Sequence, residues 1–124
     1  VRGGLVRVKR LITLKSKVPN FESEINQLIK EEIYRVLDIL YLDWDKMDRS
    51  FTLALFIQEE EKFLRQNCVV FETKKLIDLG KDLDDFSEVM SNAKNVPYEV
   101  QLVRVFKVSL PRGDKFLAYV IFED

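Results

Sequence analysis

Three carboxylates stand close together at Asp43, Asp45 and Asp48. Clustered carboxylates are the donor set of hard cations such as calcium and magnesium. The spacing is not that of an EF-hand loop. The glycine of the sharp turn is missing, and the twelfth place, where a bidentate glutamate would stand, is Ala54. A solvated connector accounts for the cluster better. A second acidic run, Asp82, Asp84 and Asp85, fits the first turn of a helix, where the backbone dipole favours anions.

Cys68 is the one cysteine. A reactive thiol needs a stabilised thiolate. Lys62 and Arg65 are near in sequence, but Cys68-Val69-Val70-Phe71 is an apolar run, which marks a buried, inert thiol. Arg112-Gly113-Asp114 spells the integrin-binding tripeptide. Gly-Asp is also good two-residue turn chemistry, with Pro111 ahead of it, and the turn is the reading adopted. Gly80-Lys81 lacks the upstream glycine and the Ser/Thr of a phosphate-binding loop.

The chain has no histidine. That removes the commonest proton-transfer side chain near neutral pH, and with it the Ser-His-Asp and Cys-His nucleophilic sites. Most zinc sites go too, and a lone cysteine forms no disulfide within the chain. No motif implies a cofactor, a metal or a small-molecule ligand.

The remaining electrostatic feature is an imbalance of charge. The net charge is −1, yet residues 1–20 carry six bases and no acid, while residues 21–60 carry ten acids against four bases. Arg7, Lys9 and Lys15 fall on one side of a period-two pattern, a basic strand face that could track a phosphate backbone. Sheet platforms for single-stranded nucleic acid add exposed aromatics for stacking, and this strand has none. Nucleic-acid binding through Arg7, Lys9 and Lys15 is therefore the alternative reading, and weak binding is its expected form. Tyr34, Tyr41, Trp44, Tyr98 and Tyr119 read as half-buried aromatics at the core margin.

These residues need elements to hold them. At 124 residues, 47% hydrophobic, the chain fits a single domain over residues 1–124, large enough to fold without metal or disulfide. No apolar run approaches a membrane span, and no secretory signal is visible. With a single cysteine, that points to the cytoplasm. The abundance of lysine and glutamate resembles that of heat-adapted proteins.

Leu5–Lys15 alternates as a strand with one wet face. Phe21, Ile25, Leu28, Ile29, Val36, Leu37 and Leu40 recur at helical steps and predict one long helix, fading near Tyr41–Trp44. Phe51–Ile57 alternates as a strand, with a helix running on to Gln66 as its rival, and a second strand follows from about Asn67 to Glu72. Leu76, Leu79, Leu83, Phe86 and Met90 predict a helix over 74–93, weakened by Gly80. Tyr98–Leu110 and Lys115–Glu123 form a hairpin. A turn at Gly113-Asp114 would pair Leu110 with Leu117 and Arg104 with Glu123.

The expected fold is α+β, in the order β-α-β-β-α-β-β. An antiparallel sheet carries two helices packed on one face, a variant of the ferredoxin-like plan. Both C-terminal strands are apolar on both faces, more than two helices on one face would cover. The expected function is therefore that of a small non-catalytic domain acting by protein contact, as a homodimer or with another protein. The contact face would hold Val103, Val105, Ala118, Val120 and Phe122.

Overall fold

The computed structural model describes residues 9–60, 65–93 and 99–123. Its elements are β1(Lys9–Ser16), α1(Glu22–Lys30), β2(Tyr34–Asp45), β3(Ser50–Glu59), β4(Gln66–Thr73), α2(Leu76–Ala93), β5(Glu99–Leu110) and β6(Gly113–Glu123). They make an α+β fold with two antiparallel three-stranded sheets, ordered β1-β3-β2 and β4-β6-β5. Each sheet comes from one β-α-β-β run whose last strand lies between the other two. The topology thus repeats, although no repeat is visible in the sequence.

The single sheet with both helices on one face is corrected on two counts. Among the described residues there are two sheets, and there is one more strand than the β-α-β-β-α-β-β order allows. The missed strand is β2, which the helical spacing had assigned to the first helix. That helix ends at Lys30, where Glu31 and Glu32 set negative charge at the negative end of the dipole. Ile33 then takes a positive φ of 56° and turns the chain out of the helix. Within β2, register shifts lie between Val36 and Asp38 and between Ile39 and Tyr41. Each inserts a residue, so the inward side chains are Val36, Ile39 and Leu42. A strand bulged twice in this way repeats every three residues and resembles a helix stripe.

One core lies between the sheets. Ile25, Leu28 and Ile29 of α1 pack with Val36, Ile39, Leu53, Leu55 and Ile57 of the first sheet, and with Cys68, Val70, Leu117, Tyr119 and Ile121 of the second. The Tyr119 hydroxyl donates to the carbonyl of Pro19, just before α1. The second helix lies on the other face of the second sheet. Its Leu79 is fully buried, and Phe86 meets Phe71 and Phe122 edge-on, with ring centroids 5.5 and 5.6 Å away. Leu76, assigned to the buried stripe from its spacing, is exposed.

The hairpin of β5 and β6 is present, in a different register. Leu110 pairs with Gly113, Phe106 with Leu117 and Arg104 with Tyr119. Pro111 and Arg112 form the turn, so the expected partners Leu117 and Glu123 lie four residues off. Proline fixes φ near −65°, which bars the left-handed conformation that hairpin turns favour at that place. Gly113 takes it instead, at φ 128°. A shift of four preserves which face each side chain occupies.

Candidate functional site

The outer face of the second sheet holds the five residues assigned to a contact. Val103 pairs with Val120 and Val105 with Ala118, and Val100 stands beside Phe122. The structure divides the set. Ala118, Val120 and Phe122 are 0%, 2% and 6% exposed, whereas Val100, Val103 and Val105 are 43%, 40% and 47% exposed. The chain's own α2 packs on β4 and β6. A helix with its side chains is about 10 Å wide, and strands lie about 4.8 Å apart, so one helix covers two strands and leaves the third bare. The bare strand is β5. The assignment from sequence placed both helices elsewhere and so counted β6 as open, whereas β6 is buried on both faces.

The bare stripe has a polar border. Lys107 reaches Asp114 at 3.4 Å, so the aspartate of the Arg112-Gly113-Asp114 tripeptide is engaged within the hairpin. Arg104 Nε donates to Asp38 of β2 at 3.1 Å, tying the two sheets where β2 and β5 run side by side. A shallow groove of about 570 Å³ follows α2, lined by Asp85, Glu88, Val89 and Asn92. It is open to solvent.

The other candidates separate. Arg7 lies outside the described residues. Lys9 and Lys15 are exposed on the outer face of β1, and Lys15 lies 3.4 Å from Asp48. The acidic cluster is organised by its own backbone. Asp45 Oδ1 accepts N–H bonds from Met47 at 2.8 Å and Asp48 at 3.3 Å. The N–H groups of Asp48 and Met47 hold its carboxyl below the ordinary value. Among the described residues no group of three His, Cys, Asp or Glu side chains is placed to hold a metal ion. Cys68 is buried, and desolvation, with the Glu22 charge behind it, pushes its thiol far above the usual range. No helix among the described residues is long and apolar enough to cross a membrane.

Sequence reasoning missed two features. The first is an apolar patch on the outer face of the first sheet, where Leu11 pairs with Phe56 and both are exposed, with exposed Tyr41 beside Ala54. The signal was there, since Leu11 falls on the same odd-numbered side as Lys9 and Lys15. The second is a set of side chains, two carboxamides and a carboxylate, that bind strand edges. Gln66 Oε1 accepts the Val36 N–H at 2.9 Å, and its Nε2 donates to the Val36 carbonyl at 3.0 Å and to Gln101 at 2.8 Å. Asn26 does the same for Cys68, with both bonds 2.9 Å, and Glu22 accepts the Val70 N–H at 2.7 Å. Single amides among polar neighbours leave no pattern in a sequence.

Comparison with protein-family models, with curated proteins and with solved structures finds no match to this chain.

Proposed function

We propose that this chain is a non-catalytic domain that acts by protein contact, and that it self-associates through its C-terminal hairpin. The observation that supports this reading is the row of half-exposed valines, Val100, Val103 and Val105, on the one strand of the second sheet that α2 leaves bare. The contact surface is narrower than the sequence implied, since Ala118, Val120 and Phe122 lie beneath the chain's own side chains. Removing apolar surface from water is worth roughly 25 cal/mol per Å². A two-fold pair of β5 stripes is the simplest way to remove it.

Sedimentation velocity over a range of concentrations tests the reading. The wild type is expected to associate at micromolar to tens-of-micromolar concentration, and Val103→Lys with Val105→Lys to sediment as a monomer. A wild type that remains monomeric at all concentrations refutes self-association. So does a wild type whose association survives both substitutions.

A further inference from the structure

We propose that the outer edge of β1 accepts an extended acidic segment of another protein as an added strand. The proposal stands apart from the β5 stripe and holds even if that stripe never meets a partner.

Two three-stranded sheets have four edges, at β1, β2, β4 and β5. An open edge presents unpaired N–H and C=O groups, and proteins close their edges by covering, bulging or charging them. The β4 edge is covered, because Asn26 and Glu22 of α1 bind the backbone of Cys68 and Val70. The β2 edge is bulged twice, and its Val36 backbone is held by Gln66. The β5 edge is bulged between Val100 and Leu102 and runs beside β2. In contrast, β1 pairs with β3 over eight successive residues with no register shift. Among the described residues, neither helix packs extensively on β1, and the side-chain bonds at that strand run from the Arg10, Lys15 and Ser16 side chains rather than to its backbone.

Two further observations describe the occupant. On the inner face, Ile12 and Leu14 are only partly buried, while Leu55 and Leu53 opposite them on β3 are fully buried. A neighbouring strand with apolar side chains on that face would complete the layer. On the outer face stand Lys9, Leu11, Thr13 and Lys15, the last in a solvent-exposed pair with Asp48 at 3.4 Å, while Arg10 on the inner side meets Tyr34, and the strand carries no acid. A second copy of β1 would set these cations against themselves, which cross-strand pairing disfavours. An acidic strand sets carboxylates against them. The matching segment places apolar residues inward and, on the outer face, acidic residues where Lys9 and Lys15 stand on either side of the exposed Leu11. Main-chain bonds supply its affinity and the alternating side chains its specificity.

The test uses a fluorescein-labelled eight-residue peptide of alternating glutamate and valine, followed by anisotropy. Two more peptides carry backbone N-methyl groups, one at every valine and the other at every glutamate, so that each loses the donors of a single edge. The peptide is expected to bind. One methylated form should then weaken by about tenfold or more while the other stays within about threefold, because only one edge faces β1. Replacing glutamate by lysine should weaken binding similarly. A chain with Lys9→Glu and Lys15→Glu should recover the lysine peptide. Hydrogen exchange should slow within residues 9–16. Failure of the acidic peptide to bind at millimolar concentration overturns the proposal. Equal loss from both methylated forms, protection confined to other strands, or displacement by an oligothymidylate at equal concentration overturns it as well.

Discussion

Replacing Gln66 with leucine removes the side-chain amide and keeps most of the volume. Gln66 is 1% exposed and Val36 4%, so water does not reach the groups left behind. The substitution strands the Val36 N–H and C=O, both satisfied in the wild type by the one carboxamide. Leaving a buried polar group unpaired costs about 1–3 kcal/mol, so two such groups cost about 2–6 kcal/mol. The side-chain Oε1 of Gln101 also loses a donor, but Gln101 is exposed and water replaces it. Leucine gains some apolar burial in return, so a net loss of about 3 kcal/mol is expected, a large share of the roughly 5–15 kcal/mol that holds a domain folded. With a urea m-value of about 2 kcal/mol/M, the unfolding midpoint should fall by about 1.5 M. Arg104→Ala is the control. It breaks an equally short bond to Asp38, but with both partners partly in water, so its loss should be under about 1 kcal/mol. If Gln66→Leu falls within 1 kcal/mol of the wild type, a buried carboxamide is not what closes the β2 edge.

Tyr119→Phe should cost about 1–2 kcal/mol at neutral pH, because the Pro19 carbonyl loses its donor. Burial, with the neighbouring Cys68, Glu72 and Glu24 charges adding to it, raises the folded Tyr119 hydroxyl above its ordinary value of 10.0. The stability linked to that proton is therefore complete below pH 10 and is lost as pH rises through the folded value, as the unfolded chain ionises first. Ultraviolet titration of wild type against Tyr119→Phe should differ by one tyrosine whose ionisation coincides with alkaline unfolding. A difference that titrates while the fold persists contradicts this. Cys68 should react with a thiol reagent only at the rate of opening, and rapid labelling without denaturant would contradict its buried place. Retention on a polyanion column should vanish near 0.15 M salt, and Lys9→Gln with Lys15→Gln should change it little there. Tight, salt-resistant retention abolished by those substitutions would favour the nucleic-acid reading.

The parts legible from sequence are those in which one periodicity persists. Phe51–Ile57 alternates without a break and is a strand, and Leu79, Leu83, Phe86 and Met90 lie on the core side of a helix. Tyr34–Asp45 was not legible because its bulges convert a two-residue repeat into a three-residue one, and the partner strand that accommodates them is not visible locally. Its composition carried a competing signal: Tyr34, Val36, Ile39, Tyr41 and Trp44 are aromatic or β-branched and suit a strand. The hairpin was legible as an element but not in register, since Gly113-Asp114 looks like a turn, whereas Pro111 and Arg112 form it, with the fixed φ of Pro111 suited to the first central place of a type I or II turn and Gly113 taking the positive φ after it. The candidate contact was half legible. Which strands are apolar follows from the residues, whereas which of them a helix covers depends on where the connections let that helix lie.

The bonds from α1 to β4 reach forward 42 to 48 residues along the chain. During synthesis the cover therefore leaves the ribosome before the strand it covers. When Gln66–Thr73 emerges, Glu22 and Asn26 are already available, and the β4 edge need not wait for later sequence to be shielded from neighbouring nascent chains. The same order makes the halves unequal as fragments. The first β-α-β-β run holds the helix that the second requires, so the second run, produced alone, would expose the Cys68 and Val70 backbone and favour aggregation over folding.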